Sequence, residues 1–259
     1  MRIYLLTYEV VGNYQNAARR LRLLPHRIML RVPIQWNDEK GRMDDPNDYV
    51  EAFQTLSEVS DIMIEFVDSD AMKNFTPDSY KEHVKNCVRI LGSYCKVAEA
   101  GNEVNGNWLG TQTAEKIQLA LEVCHGAALP TAVTYYLSAD EPSQMFGWID
   151  QYRLDSKYAL ISYYPNTSPG YEIEPKSIFS QFARKFSSST ILGWGEYGTQ
   201  DANGKNKAPM KDRAVLIRKV EKQWWELISP DISNYAGLGG YWDWGTDRDL
   251  DQVFKEVWK

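Results

Sequence analysis

Two acids in this sequence end strands that are otherwise small or apolar. Glu103 follows a run of small residues in AEAGNEVNGNWLG (98–110), and Glu196 follows Gly and Trp in GWGEYG (193–198). Asn102 stands just before the first acid, with Asn105 and Trp108 just after it. Arg31 and Trp36 bound RVPIQW (31–36), Tyr164 lies in SYYP (162–165) and Trp242 in GYWDW (240–244). Two carboxyl groups set face to face can split a glycosidic bond, one protonating the leaving oxygen while the other attacks or activates water. Sugars present apolar C–H faces that stack on aromatic rings, and hydroxyls that need amide and guanidinium partners. The aromatic share is 13%, with nine Trp and sixteen Tyr, more than a core of this size requires.

That chemistry needs elements that bring distant residues to one place. Short apolar runs at 3–8, 27–33, 61–66, 96–102, 131–136, 158–164, 190–196 and 237–244 read as strands, and longer amphipathic runs between them read as helices. Eight strands alternating with eight helices, roughly 30 residues per unit, predict a closed (β/α)₈ barrel over residues 1–259 without a linker. A doubly wound sheet would carry a Gly-rich phosphate loop after an early strand, and TYEVVGN is not one. In such barrels chemistry sits at the C-terminal ends of the strands. There the sequence offers Glu9, Arg31 with Trp36, Glu65 with Asp68, Asn102 to Trp108, Tyr135 with Tyr136, Tyr163 with Tyr164, Glu196, and Trp242 to Trp244. Glu103 and Glu196 are 196 − 103 = 93 residues apart, three units, so they face each other across the mouth. Glu99 is expected below Glu103. Trp194, two residues before Glu196, is expected to share its face and fill the barrel.

The bulk composition narrows the partners. A net charge of −6 on 259 residues argues against nucleic acid and anionic membranes. No apolar run approaches the roughly 20 residues of a membrane helix, and MRIYLLTYEV reads as a strand rather than a leader. If the natural protein is exported, its signal lies outside this sequence. Cys87, Cys95 and Cys124 make no disulfide framework, and His26, His83 and His125 have no metal-ligand spacing. All six are expected to be buried or half-buried structural residues. GLGG (237–240) lies at the start of the eighth strand, the wrong end for a phosphate loop, and is expected to relieve crowding.

Against these residues the resemblance to known families becomes specific. RVPIQW resembles the Arg-bearing second-strand motif of glycoside hydrolase family 5, and AGNEVNG (100–106) the Asn-Glu motif of clan A glycoside hydrolases. SYYP resembles the sixth-strand motif of families 5 and 53, GWGEYG the seventh-strand motif and GYWDW the eighth. The resemblance runs the length of the chain in strand order. It implies a retaining hydrolase of a β-linked glycan, with Glu103 as general acid/base, Glu196 as nucleophile, Asn102 on the sugar's 2-hydroxyl and Trp242 as the site tryptophan.

Beside it, Arg31 is expected to fix Glu196, Tyr164 to donate to it, and Asn105, Trp108 and Trp36 to line subsites. The carboxyl groups are expected about 5–5.5 Å apart, as double displacement needs. No metal or organic cofactor is implied, the partner is an oligo- or polysaccharide, and the expected state is a monomer. The third strand lacks the His common in family 5, and Ser162 stands where that family often has another. A carbohydrate-binding barrel that has lost hydrolysis therefore stays open as the alternative.

Overall fold

A computed structural model describes residues 2–6, 10–165, 173–199, 208–241 and 250–257. The barrel strands are β1 (Arg2–Leu6), β2 (Met29–Pro33), β5 (Asp61–Glu65), β6 (Val97–Gly101), β7 (Thr131–Tyr136), β8 (Tyr158–Tyr163), β9 (Ile191–Tyr197) and β10 (Gly237–Tyr241). They close in sequence order, every neighbour parallel, with β1 pairing both β2 and β10. The expected (β/α)₈ barrel is the fold observed. Between the strands run α1 (Val10–Leu21), α2 (Val50–Ser57), α3 (Pro77–Leu91), α4 (Thr113–Gly126), α5 (Pro142–Tyr152) and α6 (Pro175–Ala183). Then come α7 (Met210–Arg218), α8 (Trp225–Ile228) and α9 (Leu250–Val257). The single helix expected before the eighth strand is thus divided into α7 and α8 by a π-helical stretch, Lys219–Trp224. A small hairpin, β3 (Trp36–Asn37) with β4 (Arg42–Met43), follows β2 and has no counterpart in the hydrophobic pattern.

Strand alternation divides two cores. Leu30, Ile62, Ala98, Val133 and Ile161 face the helices, while Met29, Met63, Val97, Ala132 and Leu160 pack together as a separate apolar floor inside the barrel. Two residues further along the same five strands stand Arg31, Glu65, Glu99, Thr134 and Ser162, all buried. The period of two that puts the floor inside puts these polar groups inside as well, one layer nearer the mouth.

Glu196 joins that layer by a break in the period. Ile161 pairs with Trp194 but Ser162 pairs with Glu196, so Gly195 is an extra residue, a β-bulge. A Cβ on Gly195 would lie 2.8 Å from Thr134 Cγ2, so the bulge needs glycine where β9 crowds β7. The bulge overturns the expected orientation of Trp194. Its ring points into the helix layer, packed against Phe179, Trp224 and Tyr163, and only Glu196 turns inward.

Other expectations sort simply. Gly239 sits where a Cβ would meet Glu221 Oε1 at 2.8 Å and the Tyr197 ring at 2.9 Å, so this glycine does relieve crowding. The three cysteines are free and buried, and His83 is half-buried. His26 and His125 are exposed instead, because one lies in the loop after α1 and the other in the last turn of α4.

Candidate active site

The site grows from one guanidinium. Arg31, fully buried on β2, has Nε 2.5 Å from Glu99 Oε2, Nη1 2.5 Å from Glu196 Oε2 and Nη2 3.2 Å from Glu65 Oε1. Charges buried this far from water persist only when paired and hydrogen-bonded. Glu99 is fully served, since its other oxygen accepts from the Thr134 hydroxyl on β7. Glu196 is fully served too, because the Tyr164 hydroxyl, just past the end of β8, donates to Oε1. The expected partnership of Arg31, Tyr164 and Glu196 is therefore present. Sequence reasoning treated Glu65 as one strand-end acid among several. The signal that marks it is its spacing from Met63, which places it two residues above the apolar floor.

Glu103 stands two residues beyond the end of β6. That strand carries its own register shift between Glu99 and Gly101, and Glu103 adopts φ +51°, a left-handed conformation costly for a residue with a Cβ. Ser69, in the 3₁₀ turn after β5, donates weakly to Glu103 Oε2 at 3.5 Å, while Oε1 has no hydrogen-bond partner. Burial, then the charges of Glu196 and Asp68, push the Glu103 carboxyl well above its ordinary range, with Arg31 and the nearby Ser162 hydroxyl acting in the opposite sense. Asp68 is raised by the same two influences, burial and Glu196. Neighbouring Asn102 is 3% exposed, and its Oδ1 likewise receives no hydrogen bond. Buried polar atoms without partners are rare in folded chains, and here two of them belong to adjacent residues at the end of β6.

The next part of the loop is anchored to a neighbouring strand. Asn105 donates to Tyr136 O at 2.9 Å and accepts from Tyr136 N at 2.7 Å. Its amide thus ties this loop to the end of β7. Tyr136 instead presents its ring to Trp108, edge to face at 5.2 Å, with Trp108 lying over Gly106, where a Cβ would come within 2.5 Å of the indole. Trp36, on β3, packs edge-on against Phe75 and borders a cleft of about 340 Å³ with Met43, Asp45 and His83. Trp242, Asp243, Trp244 and Glu9 lie outside the described residues. Another cleft, about 420 Å³ and bordered by His125, Thr131 and Lys157, opens at the opposite end, where the strands begin. Among the described residues no cluster of His, Cys, Asp and Glu fits a metal ion, and no helix is long and apolar enough to cross a membrane.

No family model matches the chain, and no curated protein matches it in sequence. Solved structures match it in fold. A β-glycosidase from Pyrococcus horikoshii matches with a TM-score of 0.61 at 12% identity, over 90% of this chain and 75% of that one. A β-mannanase from Thermomonospora fusca, in complex with mannohexaose, gives 0.58 at 16% identity, over 98% and 82%. An intracellular xylanase from Thermoanaerobacterium saccharolyticum gives 0.58 at 13% identity, over 93% and 85%. The barrel fold is thus shared with these three structures. At these identities the likeness is one of fold, and what this chain does must be argued from its own site.

Proposed function

We propose that this chain is a retaining glycoside hydrolase of the clan A type that cleaves a β-linked glycan by double displacement. The reading is carried by the unequal settings of two carboxyl groups at one barrel mouth. Glu196 has both oxygens occupied by donors, one of them charged, which is the setting of a carboxylate anion. Glu103 is buried, lacks a donor on one oxygen and is pushed toward its neutral acid form. Two carboxyl groups in settings this unequal take different roles, Glu196 as nucleophile and Glu103 as acid.

In the first step Glu196 attacks the anomeric carbon while Glu103 gives its proton to the departing oxygen. The charge of Glu196 disappears when it becomes an ester. That charge is, after burial, the largest influence raising Glu103, so the Glu103 carboxyl falls and can accept a proton from water. Water then releases the sugar with a second inversion. Asn102 takes the 2-hydroxyl in this reading, and Trp108 with Tyr136 forms an aromatic wall on the Glu103 side. The sugar rings of the substrate supply the apolar faces that such a wall needs.

A panel of aryl β-glycosides and β-linked polysaccharides, followed by proton NMR of the first product formed, tests the reading. Release of the β anomer before mutarotation is expected, since two inversions retain configuration. Early α product would remove Glu196 as nucleophile. Binding of glycans with no turnover on any of them would favour the barrel that has lost hydrolysis.

A further inference from the structure

Among the described residues Arg31 faces three carboxyl groups and carries one charge, so the layer cannot hold three full carboxylates cheaply. The donors are not shared evenly. Glu99 receives Arg31 Nε and the Thr134 hydroxyl, and Glu196 receives Arg31 Nη1 and the Tyr164 hydroxyl. Glu65 Oε1 lies 3.2 Å from Nη2 yet receives no hydrogen bond, although Glu65 is only 1% exposed. Hydrogen bonds to the charged form are what hold a buried carboxylate ionised, and Glu65 has the fewest. The floor beneath it is apolar, with Met29, Met63 and Val97. The charged groups that act on it, among the described residues, are Arg31 on β2, Glu99 on β6, Asp68 beyond the end of its own strand and Glu196 on β9.

We propose that Glu65 is a positioning residue that stands in this layer as a neutral carboxylic acid, bracing the Arg31 guanidinium without drawing its charge away from Glu99 and Glu196. The inference builds on the reading of Glu196 as the nucleophile. An ionised Glu65 would compete for the same guanidinium and add a second uncompensated charge within reach of the reacting centre. A neutral one fills the space beside Nη2, keeps the fork from turning and leaves Nη1 on Glu196. Burial, opposed by Arg31 and reinforced by Glu99, pushes the Glu65 carboxyl well above its ordinary range, in agreement with the hydrogen-bond count.

Glutamate labelled with ¹³C at the side-chain carboxyl tests this without any substrate. At pH 6.5, about two units above the ordinary glutamate value near 4.3, wild type should show resonances in the protonated range. One of them should vanish in Glu65→Gln, and a second, that of Glu103, in Glu103→Gln. Loss of a carboxylate-range signal in Glu65→Gln would overturn the proposal. So would failure of that variant to fold, because Gln keeps both the size and the neutrality claimed for Glu65.

A second readout addresses positioning. With any hydrolysed glycoside, kcat of Glu65→Ala should fall at least tenfold below that of Glu65→Gln at similar KM, since only the larger side chain braces Arg31. Equal kcat in the two variants would contradict the bracing role. If no glycoside is hydrolysed, the functional reading fails, while the NMR result still decides the state of Glu65.

Discussion

At the scale of the residue, the proposed reaction requires Glu103 to be an acid that holds its proton. A carboxyl raised in the folded chain binds a proton where the unfolded chain has lost it. Its stabilising share is complete below the unfolded value, about 4.3, and is lost as pH rises toward the folded value, at about 1.4 kcal/mol per pH unit. Glu103→Gln removes this loss. Urea denaturation of the variant should therefore show a smaller decline in stability from pH 5 to 8 than wild type, and a parallel decline would mean that Glu103 is not raised. The same acid should set the alkaline limb of kcat/KM, with activity falling as pH rises through its raised value. Much of this was legible in the sequence. An acid ending a strand of small residues, beside an Asn and before a Trp, has few packing reasons to exist. Glu65 was not legible in the same way, because its importance lies in which donors Arg31 gives to Glu99 and Glu196 instead, and hydrogen-bond geometry leaves no trace in residue types.

At the scale of the element, the two register breaks decide where the acids point. Strands of period two place Arg31, Glu65, Glu99, Thr134 and Ser162 inside, and that much follows from the pattern alone. Glu196 breaks the rule, since Gly195 is a bulge, and an extra residue reads in sequence like any other glycine. For that reason the faces of Trp194 and Glu196 were not separable beforehand. Gly195→Ala should cost about 1–3 kcal/mol through overpacking against Thr134. It should also lower kcat, because Thr134 is the second donor to Glu99. Unchanged urea midpoint and kcat would show that the bulge tolerates a side chain. The loop after β6 makes a separate prediction. Trp108→Ala should remove a stacking contact worth about 1–3 kcal/mol, by analogy with bases on aromatic side chains, and raise KM for long substrates more than for short ones. Asn105→Ala should do the same more weakly by releasing the Tyr136 backbone. Equal effects on short and long substrates would contradict the aromatic wall.

At the scale of the whole molecule, the barrel brings Arg31, Glu99, Tyr164 and Glu196 from four strands or their ends to one point, although no two adjacent members of this set are closer than 32 residues in sequence. The alternation of strand and helix made this convergence readable, since eight such units leave one closed topology and one end for chemistry. The hairpin after β2 and the π-helical stretch before α8 were not readable, being short and set by local hydrogen bonding. The proposed division of roles gives Glu103 the proton and Glu196 the bond. It is tested most directly by Glu103→Ala assayed with an activated aryl β-glycoside and with a polysaccharide, with and without azide. Activity on the polysaccharide should fall about 10²–10⁴-fold, the usual contribution of a general acid, while the aryl glycoside, which needs little protonation, is cleaved to the glycosyl ester. Azide should then accelerate turnover and yield a β-glycosyl azide. Equal loss on both substrates with no azide product would contradict the assignment.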